Sequence, residues 1–284
     1  MDGKGFTVQS ENMFHEANEF IKRMENAIYN PVKDYKDGEL KVGVDLGTCN
    51  IVLTVLDKDN NPVAGEIKRA NVVRDGIVVD YLKAVKIVRE LKEKLEKKLN
   101  RNLDYAAAAI PPGVIQGSVR IIENVLEASD FNVTAIVDEP TAAARVLKVK
   151  DGAVVDIGGG TTGISILKDG EVIYSADEAT GGYHLSLVIS GSLDMEYEEA
   201  EKFKIDPKNV KTVVPLIEPV IEKIGNIIAH NIKEYDVQEI YIVGGTSSIQ
   251  GIENIIQRYT GIKTVKPYNP MLVTPIGIAM SSIR

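Results

Sequence analysis

Two aspartates, Asp45 and Asp156, each close an apolar strand and open the same kind of turn. The first run reads Val-Gly-Val-Asp-Leu-Gly-Thr-Cys-Asn over 42–50, and the second reads Val-Val-Asp-Ile-Gly-Gly-Gly-Thr-Thr over 154–162. Each passes into a second apolar strand (Ile51 to Leu56; Gly163 to Leu167) and then through a short turn into a third. Glycine at such a turn lets backbone N–H groups approach an anion closely. Gly47, Thr48 and Asn50 in the first copy are therefore candidate phosphate-holding residues. Gly158, Gly159, Gly160, Thr161 and Thr162 are their counterparts in the second. The threonines add hydroxyl donors. A carboxylate beside bare phosphate is repelled. Asp45 and Asp156 make sense as metal residues, with a hydrated Mg²⁺ between them, because Mg²⁺ keeps several waters and takes few carboxylates. One copy alone would also fit an ordinary glycine-rich hairpin turn. Two copies with aspartate in register favour two half-sites facing one nucleotide.

Other phosphate-binding loops fit less well. A Walker A loop needs Gly-Lys-Ser/Thr opening a helix, and no such run is present. A dinucleotide fingerprint also opens a helix, whereas Gly158-Gly159-Gly160 runs into Thr-Thr-Gly-Ile-Ser-Ile-Leu, which reads as a strand. The formal charge of −8 argues against nucleic acid or an anionic membrane as the main partner. A single cysteine, Cys49, allows no internal disulfide. With no secretory signal and no membrane-length apolar run, a cytoplasmic address is expected. His15, His184 and His230 stand apart, without metal-ligand spacing. Cys49 lies inside the first loop, where it reads as a small buried residue at a tight turn or, alternatively, as a redox-sensitive thiol.

The elements that position these residues follow from periodicity. In an extension over 1–39, Met13, Phe14, Ala17, Phe20, Ile21, Met24, Ala27 and Ile28 recur at helical spacing. That helix is expected to pack on the body rather than dock a partner. A linker around Pro31 and 36–38 follows it. Tyr81 to Leu99 reads as an amphipathic helix whose second half, with Lys92, Lys94, Lys97 and Lys98 among glutamates, forms a solvated face. A strand over Asp104 to Ile110, a helix from Ile115 to Ser129 and a strand over Val133 to Val137 lead to Asp138-Glu139-Pro140-Thr141, which opens a further helix. The second half has strands at 152–157, 162–167 and 171–177 and helical segments at about 183–193 and 196–203. A long helix from Pro215 to Glu234 and a strand over Ile240 to Val243 follow. A helix over Ile252 to Tyr259 and a small-residue helix over Ile276 to Ser282 end the chain.

With these residues in place, the chain resembles the superfamily of actin-like, sugar-kinase and heat-shock-chaperone ATPases. Val42 to Asn50 and Val154 to Thr162 match its two phosphate motifs, and Val137 to Ala144 and Pro275 to Ala279 its connecting motifs. Ile242 to Gly251 matches its adenosine motif. The resemblance implies an α/β fold of two actin-like, ribonuclease H-like domains with an interdomain nucleotide cleft. The expected boundaries are 40–149 for the first domain and 150–273 for the second, with 274–284 returning to the first. It implies ATP and Mg²⁺ as cofactors. Glu139 would position the attacking water or act near it, and Gly244, Gly245 and Thr246 would line the adenosine pocket. Glu201 and Lys204 would approach the ribose and adenine, their other reading being a charged helix face.

Arg74 to Asp80, Val137 to Ala144, Val154 to Ile164 and Ser175 to Gly182 carry a closer resemblance. They resemble a chaperone-like family from operons for a bacterial microcompartment that degrades ethanolamine. This implies ethanolamine-degrading enzymes or microcompartment proteins as partners. Two positions depart from the chaperone pattern. Gly163 stands where the chaperones carry an acidic residue, and Ser248 stands where they stack an arginine on the adenine. Their catalytic lysine has no clear equivalent; Lys68, Arg69 and Arg74 are the candidates. Nucleotide binding is thus better supported than fast hydrolysis. The sequence ends at Arg284 just after the last motif, so no peptide-binding domain is expected. Three functions remain open: a nucleotide-switched assembly or reactivation factor, an actin-like scaffold or filament, and a small-molecule kinase. The kinase would need a larger substrate domain.

Overall fold

The computed structural model describes the backbone of residues 3–36, 38–74, 76–114 and 116–282, and the side chains of these residues from 14 onward. The side chain of Met13, the Asp37 part of the linker and Ile115 as a helix start lie outside what is described. The long first helix α1 (Gly3–Tyr29) buries Ala17, Ile21, Met24 and Ala27. These pack with Val52 and Leu56 of the following sheet, so in the described part the helix lies on the body as its periodicity predicts.

Two sheets with the same plan follow. The first uses β1 (Lys41–Leu46), β2 (Asn50–Leu56), β3 (Pro62–Arg69), β6 (Tyr105–Ile110) and β7 (Asn132–Asp138), in the order β3-β2-β1-β6-β7. Between β3 and β6 the chain forms a small hairpin, β4 (Val73–Arg74) and β5 (Ile77–Val78), and the helix α2 (Tyr81–Leu99). Asp80 caps α2, accepting from the Lys83 N–H at 3.1 Å, so the helix begins where the apolar stripe begins. Helix α3 (Gln116–Glu127) leads to β7, and α4 (Glu139–Leu147) follows it. The second sheet uses β8 (Gly152–Ile157), β9 (Thr162–Lys168), β10 (Glu171–Glu178), β11 (Glu239–Val243) and β12 (Lys263–Val265), in the order β10-β9-β8-β11-β12. Helices α5 (Gly182–Leu193), α6 (Tyr197–Ile205) and α7 (Val210–Ile232) separate β10 from β11, and α8 (Ile252–Thr260) separates β11 from β12. The chain ends in α9 (Val273–Ser281).

In each sheet an antiparallel three-strand meander is extended by two parallel strands, so both bodies repeat one topology. The registers Asp45↔Val52 and Asp156↔Gly163 place the two aspartates at equivalent points of their hairpins. The first strands are buried on both faces and read as continuous apolar runs, as parallel-type strands must. Each body has its own core: β1, β2, β6, α2 and α3 in the first, and β8, β9, β11, α7 and α8 in the second. Helices α4 and α9 pack on each other, α4 also against β8 and α9 against β1 and β2. A buried hydrogen bond, Thr54 Oγ1 to the Pro275 carbonyl at 2.7 Å, ties β2 to the start of α9.

Two sequence expectations are corrected. Lys92 is not on a solvated face. It is buried, with Nζ donating to the Asp130 carbonyl at 2.5 Å and lying 4.4 Å from the Phe131 ring centre. The amphipathic stem of lysine makes that burial affordable once the ammonium is satisfied. The long helix begins at Val210 rather than Pro215, and holds Pro215 and Pro219 inside it. Both prolines are exposed, so the carbonyls that lose their donors face water, while Val213, Ile217 and Ile221 fill the opposite stripe. The short strand β12 and the β4–β5 hairpin carry no alternation long enough to read. Among the described residues no helix is long and apolar enough to cross a membrane.

Candidate functional site

The hairpin turns of the two bodies face each other. A Cβ placed on Gly159 would lie 2.7 Å from Cys49 Sγ, so the loops are in direct contact at that point. Between and beside them opens a cavity of about 630 Å³. It is lined by Asp45, Gly47, Thr48 and Asn50 from the first loop, and by Asp156, Gly158, Gly159, Gly160 and Thr161 from the second. Glu139, Glu201, Lys204, Gly244, Gly245 and Thr246 complete the sequence-selected lining. Thr162 alone is turned away. Its hydroxyl is fully buried and donates to the Thr180 carbonyl at 2.6 Å, bracing the loop from behind.

Local geometry explains why these residues end up together. The Gly158 N–H donates to the Thr161 carbonyl at 2.9 Å, closing the second turn. The N-terminal amides of α5 take the loop's carbonyls: Gly182 donates to Gly158 at 3.0 Å and Tyr183 to Gly159 at 2.7 Å. Thr246 Oγ1 also donates to the Gly158 carbonyl, at 2.7 Å, joining the loop to the segment after β11. Gly244 there has φ +85°, and a Cβ on it would lie 2.2 Å from Asp156 Oδ1; only glycine fits. Asp138 caps α4 through the Thr141 N–H at 2.9 Å, which sets Glu139 in the first turn at the positive end of the helix.

Asp45, Asp156 and Glu139 form one electrostatic unit. Burial, then the charge of Asp156, pushes Asp45 up to about 7. Burial likewise raises Asp156, although the Thr274 hydroxyl, donating at 2.5 Å, pulls the other way. Glu139 is raised well above the ordinary range by burial and by the charges of Asp156, Asp45 and Asp177. Three carboxyls that disfavour one another's charge are what a divalent cation would relieve. Among the described residues no three such groups come close enough to grip a metal directly. A cation held through water by Asp45 and Asp156 therefore fits this donor set.

Also lining the cavity, Lys204 and Glu201 are buried and paired at 2.7 Å. Lys204 Nζ also donates to the Gly182 carbonyl at 2.9 Å and to Ser186 Oγ at 2.8 Å. All three ammonium protons are thus used within the protein. Of the three cations considered as a lysine substitute, Lys68 pairs with Glu90 outside the cavity, Arg74 is exposed and does not line it, and Arg69 does line it. Cys49 is partly buried, and burial, then the charge of Glu201, pushes its thiol up, which suppresses the reactive thiolate. Sequence reasoning missed Thr274, which lies 118 positions from the aspartate it orients, and it left Arg69 as one of three candidate cations. No local signal marks Thr274, because only the return of α9 brings it to the site.

Two bodies of one topology, facing phosphate-type hairpins and crossing helices between them define the actin-like ATPase fold. The family models agree with that class: one described as MreB/Mbl protein matches residues 60–200, and one described as Type IV pilus assembly protein PilM matches residues 145–276. MreB5 of Spiroplasma citri, in a crystal structure bound to ADP, superposes with a TM-score of 0.68 at 16% identity, covering 85% of this chain and 95% of that one. That likeness is one of fold. Over 256 residues the chain is 41% identical to the ethanolamine utilization protein EutJ of Salmonella typhimurium, covering 90% of each. The crystal structure of EutJ from Carboxydothermus hydrogenoformans superposes with a TM-score of 0.88 at 43% identity, covering 94% of this chain and 98% of that one. The chain belongs to the EutJ family of ethanolamine utilization proteins.

Proposed function

We propose that the protein binds Mg²⁺–ATP between its two bodies and acts as a slow nucleotide switch. Its role in ethanolamine utilization would be as an assembly or reactivation factor for the ethanolamine-degrading enzymes or the microcompartment proteins around them. The observation that carries this reading is the pair of facing hairpins, with Asp45 and Asp156 lining one cavity. Asp45 and Asp156 would hold the cation through its waters, and the cation would draw charge from the terminal phosphates. The amides of Gly158, Gly159 and Gly160, with Thr48 and Thr161, would hold phosphate oxygens. Glu139, at the N-terminus of α4, would orient a water and take its proton. Gly244, Gly245 and Ser248 leave an open wall for the base.

Slow turnover is supported by Gly163. A Cβ there would already lie 3.2 Å from Pro140 Cγ and 3.3 Å from Pro112 Cδ, so β9 supplies no carboxylate beside Glu139. Calorimetric titration with ATP and Mg²⁺ tests the site. The wild type is expected to bind saturably, and Asp156→Ala to lose detectable binding. A wild type that ignores nucleotide would remove the switch. A scaffold role shares this fold, as the MreB likeness illustrates. ATP-dependent pelleting at high protein concentration distinguishes it, and a protein that stays in the supernatant counts against the scaffold.

A further inference from the structure

The cavity is rich in carboxylates and poor in free cations. Asp45, Glu139, Asp156, Glu201 and Asp206 line it, and among the described residues only Arg69 and Lys204 oppose them. Lys204 has no donor to spare, since its ammonium is spent on Gly182, Ser186 and Glu201. Arg69 differs. Its guanidinium lies 3.6 Å from Glu201 Oε1, at the edge of hydrogen-bonding range, and 48% of its side chain is exposed. Its backbone belongs to the first loop's surroundings: Arg69 pairs with Asn50 in the β2–β3 ladder, and the next N–H, of Ala70, donates to the Cys49 carbonyl at 3.0 Å. Arg69 thus stands in the first body, one strand from the phosphate turn, and reaches a carboxylate on α6 of the second body.

Resting on the nucleotide reading above, we propose that Arg69 is the polyphosphate-binding cation of this cleft and that it answers nucleotide by leaving Glu201. A planar guanidinium with five donors suits two phosphate oxygens at once. Glu201 already accepts from Lys204 and Ser186 through its Oε2, so losing Arg69 does not strand it. The ribose hydroxyls of the incoming nucleotide would donate to the Oε1 that Arg69 vacates. The exchange would convert a direct bridge between the bodies into one that runs through the ligand.

The test compares Mg²⁺–ADP with adenosine, which lacks the phosphates, by calorimetry. Arg69→Ala is expected to weaken ADP roughly tenfold or more and to leave adenosine within about twofold of wild type. Arg69→Lys, which keeps the charge but not the fork, should fall between. Glu201→Gln frees Arg69 in advance, so the ratio of ADP to adenosine affinity should rise even though ribose contacts weaken for both. Equal weakening of ADP and adenosine by Arg69→Ala, or no weakening, overturns the assignment of Arg69. An unchanged or lower ratio in Glu201→Gln overturns the exchange. A wild type that binds neither ligand overturns the nucleotide reading itself and this inference with it. The wild-type arm alone shows which of the two has failed.

Discussion

Asp45, Asp156 and Glu139 keep their protons to a higher pH in the folded chain than in the unfolded one, because burial and mutual repulsion penalise their charged forms. The sign of the consequence is fixed by proton counting. From about the ordinary Asp value of 3.8 up to about 7 for Asp45, the folded chain binds more protons than the unfolded chain. Nucleotide-free protein therefore loses stability as pH rises through that window. Glu139→Gln removes one of the three charges and keeps the shape. Without metal it should melt above wild type at pH 8 and level with it at pH 4. A variant that melts lower at pH 8 would mean that the Glu139 carboxylate is held by donors the structure does not show. Asp45 and Asp156 were legible because a strand, a carboxylate and a glycine turn are contiguous in sequence. Thr274 and the Arg69–Glu201 contact were not, because each depends on distant segments meeting.

At the scale of elements, the crossing of α4 and α9 sets how closely the two bodies approach. Gly277 of α9 faces the backbone of α4, and a Cβ on it would sit 1.9 Å from the Ala142 carbonyl oxygen. Two effects oppose each other in Gly277→Ala. Helix propensity favours alanine by about 1 kcal/mol. The clash is with backbone, which cannot swing aside, and overpacking of that kind costs about 1–3 kcal/mol or more. The clash should win, with a net loss of about 2 kcal/mol in urea unfolding; a gain in stability would show that the helices can separate freely. Most elements were readable from periodicity, as with α2, whose apolar stripe runs between Tyr81 and Leu99 as expected. The start of α7 was misjudged because proline usually marks a first turn, and here the exposure of Pro215 and Pro219 made interior positions tolerable. Lys92 was misjudged because its sequence neighbours are charged, whereas its partners, the Asp130 carbonyl and the Phe131 ring, come from the segment after α3.

For the whole molecule, the two repeated bodies share a buried apolar cluster of α1, α4, α9 and strands of both sheets, while at the cleft itself they meet through the loops and the half-exposed Arg69–Glu201 contact, so a ligand there adds its own contacts to both bodies. A 3.6 Å contact with one half-exposed partner, as in Arg69–Glu201, contributes little by itself. Nucleotide should then act by mass action: at a free concentration of one hundred times Kd it adds about 2.7 kcal/mol. For a chain of 284 residues that is a rise in melting temperature of roughly 5 °C. The carboxylate unit makes a sharper demand. At pH 8 the charges of Asp45 and Asp156, raised to about 7 and about 6, are present and Mg²⁺ would relieve them; at pH 5 protons already do so. The Mg²⁺-dependent part of the rise, measured with Mg²⁺ against a chelator at matched nucleotide saturation, should be larger at pH 8 than at pH 5. A rise that is indifferent to Mg²⁺ at both pH values would place the metal elsewhere, and Asp45 and Asp156 would then be structural.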